Sequence, residues 1–253
     1  MKLQIRSLLL TLTLLGGATA ALAQEAQDPE QPPVLRDAHD PSRFNESRLW
    51  LGVWAPSAKS DFWDDNFKNF KGSRGGLTGY AIGGDYVHHF DRHDALMLSA
   101  GLNESTINEP ARDMFDESGN PVEHHLNLNF VSLSAGYVLF PAGTEDRVIP
   151  YLGAGIGLYV GHLQSYRSSY TTDDCDEDGE NCTTGYNESN TSSFLTFGYF
   201  ALAGLEVPVG AKAALTLEGR YTEAHAHLGG AFADNNHLDL SGLQVAAGMS
   251  FRF

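Results

Sequence analysis

Apolar residues recur at every second position over eight stretches of this chain: Ser47–Pro56, Leu77–Phe90, Ala95–Ile107, Glu123–Phe140, Ile149–Tyr166, Ser193–Val207, Ala213–His227 and His237–Phe253. A period of two predicts β-strands, each with one apolar face. In the last stretch Leu243, Val245, Ala247, Met249, Phe251 and Phe253 point one way, and Gln244, Ala246, Gly248, Ser250 and Arg252 the other. In the fifth, Leu152, Ala154, Ile156, Leu158 and Val160 lie opposite Gly153, Gly155 and Gly157. One face is apolar throughout and the other is small or polar, which suits a narrow barrel with its apolar face turned to lipid.

The connections alternate in length. Asp91–Asp94, Pro141–Val148 and Pro208–Lys212 are short and rich in turn formers, whereas Ser57–Gly76, Asn108–Val122, Arg167–Ser192 and Leu228–Asn236 are longer. Short turns on one side and long loops on the other predict an all-β, eight-stranded antiparallel up-and-down transmembrane barrel with both termini on the short-turn side. Asp85, Glu206, Glu218 and Arg220 fall on the inward face, where they are expected to form a salt-bridge network in the lumen; no charge falls on the lipid face, where it would cost about 2–4 kcal/mol near the midplane. Two stretches are less regular. In the fourth, the apolar face passes from Leu126, Leu128 and Phe130 to Val131, Leu133, Ala135, Tyr137 and Leu139. Either a β-bulge at Phe130-Val131 restores the phase, or the first half rises above the membrane. In the first, either Leu49, Leu51 and Val53 or Trp50 and Trp54 face lipid. Tyr80, Tyr86, Phe90, Tyr137, Phe140, Tyr151, Tyr159, Tyr199 and Tyr221 are candidates for interfacial aromatic belts.

Residues 1–23 combine Lys2 and Arg6, an apolar run Leu8–Leu15 and an Ala21-Leu22-Ala23 cleavage site, and are expected to be a signal peptide. Residues 24–45, with Pro29, Pro32, Pro33 and Pro41, are expected to form a flexible periplasmic leader before the barrel of residues 46–253. The net charge of -16 excludes nucleic acid as a natural partner. Cys175 and Cys182, an even pair in an exported chain, are expected to form a disulfide, with two free thiols as the alternative.

Two segments resemble a known family. Ile149-Pro150-Tyr151-Leu152-Gly153-Ala154-Gly155-Ile156-Gly157 is similar to a strand opening of the outer membrane protein beta-barrel domain family, the group around the OmpA transmembrane domain and OmpX. Leu238 to Phe253 resembles that family's closing strand. Gly248, Phe251 and Phe253 match the C-terminal signal read by the barrel assembly machinery, while Ala246 stands where a polar residue is usual. The resemblance implies a Gram-negative cell outer membrane, insertion by that machinery, contact with lipopolysaccharide and other outer-membrane lipids, and a monomer. It says little about activity.

Candidate chemistry is sparse. Asp174, Asp176 and Asp178, followed by Gly179, spell the opening of a calcium loop, whose oxygen ligands alternate along the chain. Gly185 stands where the twelfth-position glutamate belongs, so calcium competes with a plain acidic loop closed by the disulfide. His88, His89 and His93 cluster with Asp91 and Asp94. His225 and His227 lie on one strand face beside Glu223, and His124, His125 and His237 are placed near the same rim. Imidazole pairs could take zinc or copper, and His225 or His227 with Ser193 or Ser241 could be imagined in a lipid A-modifying enzyme. No catalytic residue and no cofactor is assigned. The expected function is a non-enzymatic surface barrel with acidic outer loops, serving interaction or envelope integrity; a narrow, porin-like channel for small or hydrophobic solutes and the lipid-modifying enzyme are the alternatives.

Overall fold

A computed structural model describes residues 44–115, 119–167, 171–175, 182–184, 188–230, 232 and 237–253. The expected signal peptide and nearly all of the expected leader lie outside the described residues. The strands are β1 (Asn45–Pro56), β2 (Gly79–His89), β3 (Asp94–Phe115), β4 (Pro121–Leu139), β5 (Ile149–Arg167), β6 (Thr171–Cys175), β7 (Cys182–Thr184), β8 (Glu188–Pro208), β9 (Ala213–His227), β10 (His237–Asp239) and β11 (Gly242–Arg252). Eight of them close into an antiparallel ring in the order β1-β2-β3-β4-β5-β8-β9-β11, with β11 paired back on β1. β10 extends the final strand along β9, and β6 and β7 form a separate two-stranded ribbon.

Closure settles the faces. Leu49, Leu51 and Val53 are exposed on the outside of β1, while Trp50 and Trp54 are buried in the lumen. Trp50 fits because glycine lies beside it: a Cβ on Gly83 would stand 2.4 Å from its ring, and one on Gly101 2.9 Å. On β11, Leu243, Val245, Met249 and Phe251 are exposed, as is Phe253 just after it, and Gln244, Ala246 and Ser250 are buried.

β4 decides between the two readings of its inverted face, against the bulge and for a first half that rises above the membrane. Its pairing with β3 runs unbroken from Asp94↔Leu139 to Pro110↔Glu123, and its pairing with β5 from Leu139↔Leu152 to His124↔Arg167. Even-numbered residues of β4 face inward all along, so the phase never slips. What changes is the solvent outside. Up to Val131 the outer positions are apolar; beyond it they are Asn129, Asn127 and His125, while Phe130, Leu128 and Leu126 are buried inside. The polarity inverts where the strand leaves lipid for water. Val131 to Leu139 is nine residues, about the length that crosses a bilayer as a tilted strand.

The predicted connection Asn108–Val122 is also mostly strand, because β3 and β4 stay paired well past the membrane, with Ile107, Ala111 and Val122 buried on the inner side. Of the expected belt aromatics, Phe140, Tyr151 and Tyr159 are buried in the lumen; Tyr80, Tyr86, Phe90, Tyr137, Tyr199 and Tyr221 are exposed on the outside.

Ile156→Arg, at the centre of the apolar outer face from Leu152 to Val160, is expected to lower folding stability in bilayers by about 2–4 kcal/mol, and Asn127→Arg by no more than about 0.5 kcal/mol. Urea unfolding followed by tryptophan fluorescence measures both, and equal costs would refute the placement of the boundary.

Candidate functional site

The lumen is layered. At its short-turn end, Glu46, Arg48, His89 and Glu206 are buried together, with Arg252 beside them. Arg48 lies between two carboxylates, paired with Glu46 and, at 3.3 Å, with Glu206. Arg252 pairs with the other oxygen of Glu206. Phe44 stacks on His89 with ring centroids 4.0 Å apart, covering the cluster. Val87, Ala95, Met97, Val138, Phe140, Ile149, Phe200 and Leu202, with Tyr151, form an apolar layer.

A second ionic group sits in mid-barrel. Arg220 Nε donates to Glu218 Oε1 at 3.1 Å, and Arg220 Nη2 lies 3.8 Å from Asp85 Oδ1. Trp50 Nε1 donates to the same Asp85 oxygen at 3.1 Å, Tyr151 OH donates to Glu218 Oε2 at 3.2 Å, and Arg220 Nη1 donates to Ser99 Oγ at 3.2 Å. Asp85, Glu218 and Arg220 are thus brought together, but Glu206 is not among them. Its partners, Arg48 and Arg252, share the inward parity of Trp50 and Gln244; that parity was the signal available in the sequence. Above this group lies a small pocket of about 10 Å³, lined by Trp54, Asn103, Phe130, Tyr159, Arg220 and Gln244 among others. It has room for one water.

A part of the chain that the hydrophobic pattern leaves as loop packs into the outer end of the lumen. Between β1 and β2 the helix α1 (Asp61–Asn69) forms, with Asp61 and Asp64 in its first turn and Lys68 in its last, each complementing the helix dipole. Phe62, Trp63 and Asn66 share its buried face. Those rings pack with Trp54, Leu126, Leu128, Phe130, Leu163, Phe194 and Leu238 in one apolar cluster. Asp239 fixes the helix from the opposite end of the sequence. Trp63 Nε1 donates to its backbone oxygen at 3.0 Å, and Lys59 N donates to its carboxylate at 3.0 Å. Further along, Phe70 stacks on buried His124, centroids 4.0 Å apart, and His124 Nε2 shares a 2.8 Å hydrogen bond with Ser165 Oγ. Burial first, then the charges of Arg167 and His125, lower the His124 pKa to about 4.

The other candidate residues do not converge. His88 bonds Asn45 Oδ1 at 2.8 Å, His89 faces Glu46, and His93 Nδ1 bonds the Phe140 carbonyl at 3.0 Å. Asp91 accepts from the backbone N–H of His93 and Asp94, closing the turn. His225 lies 3.2 Å from Glu223, and His227 and His237 stand opposite each other with ring centroids 4.5 Å apart. Ser241 Oγ accepts from Ala224 N at 3.2 Å and Ser193 pairs with His162 across β5–β8, while His225 Nδ1 lies 3.6 Å from Asp239 Oδ1, to which the Ser241 backbone N–H donates at 2.9 Å. Among the described residues no three ligating side chains form a metal-binding group. Asp176 and Asp178 lie outside the described residues. Cys175 and Cys182 are directly opposite in the β6–β7 backbone register. Gly248 faces inward against Trp50, and Phe251 and Phe253 face outward.

No family model and no curated protein matches the sequence. Solved structures do match in shape. The outer membrane protein OprG from Pseudomonas aeruginosa is 12% identical, over 84% of this chain and 97% of that one, with a TM-score of 0.51. Neisserial surface protein A is 14% identical over 83% and 97%, with a TM-score of 0.44, and two structures of Ail of Yersinia pestis are 14% and 12% identical over 84% and 99%, with TM-scores of 0.40 and 0.39. At such identities the likeness is one of fold, and the OprG comparison carries it: this chain has the fold of the small outer-membrane β-barrels.

Arg48→Ala leaves two buried carboxylates without their shared cation, and is expected to cost about 3–5 kcal/mol. Arg74→Ala removes the exposed pair with Asp64 and is expected to cost less than about 1 kcal/mol. Denaturant midpoints of the refolded barrel measure both. A second expectation concerns pH. The folded-state pKa of His124 is depressed, so its contribution is intact above the unfolded value near 6.5 and is lost as pH falls toward about 4. His124→Phe is expected to flatten the decline in stability over that window, and an unchanged profile would remove His124 as its cause.

Proposed function

We propose that the protein is a non-conducting, non-enzymatic barrel of the bacterial outer membrane, whose work is done by the parts that project beyond the lipid belt. The observation that carries this is the filling of the interior by the described residues: two buried ionic clusters, an apolar layer and a helical plug occupy it, and the pocket between them offers about 10 Å³. A pore would need a continuous wet path. The projecting parts are well built by contrast, since β3, β4, β5 and β8 continue in register well past the apolar belt.

Three sequence-based expectations belong to the same proposal. Directly opposed residues on an antiparallel ribbon lie within disulfide reach, which supports a Cys175–Cys182 bond. Asp174, Asp176 and Asp178, which alternate along the sequence around Cys175, are the acidic residues on which calcium would bind. Gly248, Phe251 and Phe253 would address the chain to the assembly machinery. A non-reducing peptide map and calcium titration address the first two, and heat-modifiable migration of a chain lacking Phe253 the third.

In planar bilayers the protein is expected to give no stable single-channel steps. Defined, reproducible steps from the wild-type chain would overturn the sealed-barrel reading in favour of a conduit. The same preparation lacking residues 58–76, the segment that carries the plug, is the positive control for an unsealed mouth.

A further inference from the structure

On the outside of β3, β4, β5 and β8 the membrane boundary falls within a single rung. Leu102, Val131, Val160 and Leu195 stand in register across the four strands, and all are exposed. The next rung is Glu104, Asn129, His162 and Ser193; then come Thr106, Asn127, Gln164 and Thr191, followed by Asn108, His125, Tyr166 and Ser189. Residues directly opposite in an antiparallel sheet share a face. These twelve side chains therefore form a continuous array on one side of an unbroken sheet. At strand spacings of about 4.8 Å and about 6.7 Å per two-residue step, it measures roughly 20 by 20 Å.

Its composition sets it apart from an ordinary solvated surface. The chain carries 32 acidic and 16 basic residues, yet Glu104 is the one Asp, Glu, Lys or Arg in the array. Exposed sheet faces that only need solubility carry charges of both signs. Here amides and hydroxyls stand in their place, and several are already ordered by one another. Asn127 Nδ2 donates to Thr106 Oγ1 at 3.2 Å, Asn129 is hydrogen-bonded to Asn127, and His125 Nδ1 meets Asn108 Oδ1 at 2.5 Å. The rings of His125 and Tyr166 lie 5.9 Å apart. Side chains held in place before binding lose little freedom when a ligand arrives. Amides and hydroxyls supply both donors and acceptors, and the rings supply flat apolar faces with a polar edge. That combination complements sugars, which present hydroxyls at their rims and C–H groups on their faces.

We infer that this face docks the core oligosaccharide of lipopolysaccharide in the surrounding outer leaflet, an inference that rests on the outer-membrane placement proposed above. The occupant follows from position. A lipid whose acyl chains lie against Leu102, Val131, Val160 and Leu195 carries its headgroup onto the rungs directly above. The array continues the lipid contact without a gap. An acidic wall there would repel the phosphates and acidic sugars of that headgroup, whereas this wall, with Glu104 as its one carboxylate, admits them. The inner side of the same wall is occupied by the apolar plug, so the outer side is the one left for a ligand.

The test uses the full-length mature barrel in nanodiscs of phospholipid doped with equal mole fractions of core-bearing lipopolysaccharide or of lipid A without core sugars. Native mass spectrometry reads the lipid that remains bound. The wild type is expected to retain the core-bearing form about tenfold better. The triple variant Asn127→Ala, Gln164→Ala, Thr191→Ala is expected to bring the two forms close to parity, with its thermal unfolding in phospholipid-only discs unchanged. Equal retention of both lipids by the wild type, or an undiminished preference in the triple variant, overturns the inference. Binding of free core oligosaccharide as tightly as the lipid-linked form overturns the assignment of the source. A chain that never gains a heat-modifiable form in the discs refutes the outer-membrane placement itself, an outcome distinct from an inserted barrel with no preference.

Discussion

A strand in hydrocarbon cannot leave its backbone N–H and C=O groups unpaired, because each unsatisfied group costs several kcal/mol. The pairing of β1 with β11, unbroken from Pro56↔Gly242 to Glu46↔Arg252, removes both sheet edges at once. Everything else follows from that closure. Eight strands enclose a bore too narrow to stay empty and wide enough for side chains, so the lumen must be packed. Charges admitted to it must be paired there, and Arg48 and Arg220 each stand between carboxylates. Bulky rings need partners that yield space: Trp50 lies against Gly83 and Gly101, and Phe200 against Gly136 and Gly155.

The barrel was legible because closure forces a period of two on every strand, and because short turns alternate with longer excursions. What the pattern left ambiguous was the fourth stretch. A change in which face is apolar looks like a slipped register if the medium outside is assumed constant. In β4 the register is constant and the medium changes, so Leu126, Leu128 and Phe130 are lumenal while Val131 to Leu139 alternate towards lipid. An inversion without an inserted residue marks a membrane boundary.

The interior was only partly legible. Parity assigns Asp85, Glu206, Glu218 and Arg220 to the lumen, but parity cannot tell height, and Glu206 lies at the turn end, away from the other three. Arg48 escaped notice because β1 was ambiguous until closure placed its tryptophans inside. The plug was missed for a different reason. In α1 the residues Phe62, Trp63, Asn66 and Phe67 follow a helical spacing within a nine-residue segment, too short for periodicity to separate from loop. Its stability comes from what it packs on, and those residues are scattered over most of the barrel strands.

The bond between Trp63 and Asp239 spans 176 positions of the chain. It joins the first excursion after β1 to the segment immediately before β11, which are neighbours only when the sheet has become a cylinder. The helix therefore has its full set of contacts only in the closed barrel, since they run from Trp54 on β1 through Leu126 and Leu163 to Leu238 just before β11. A mouth occupied by α1 with this bond made belongs to a barrel whose final seam has formed.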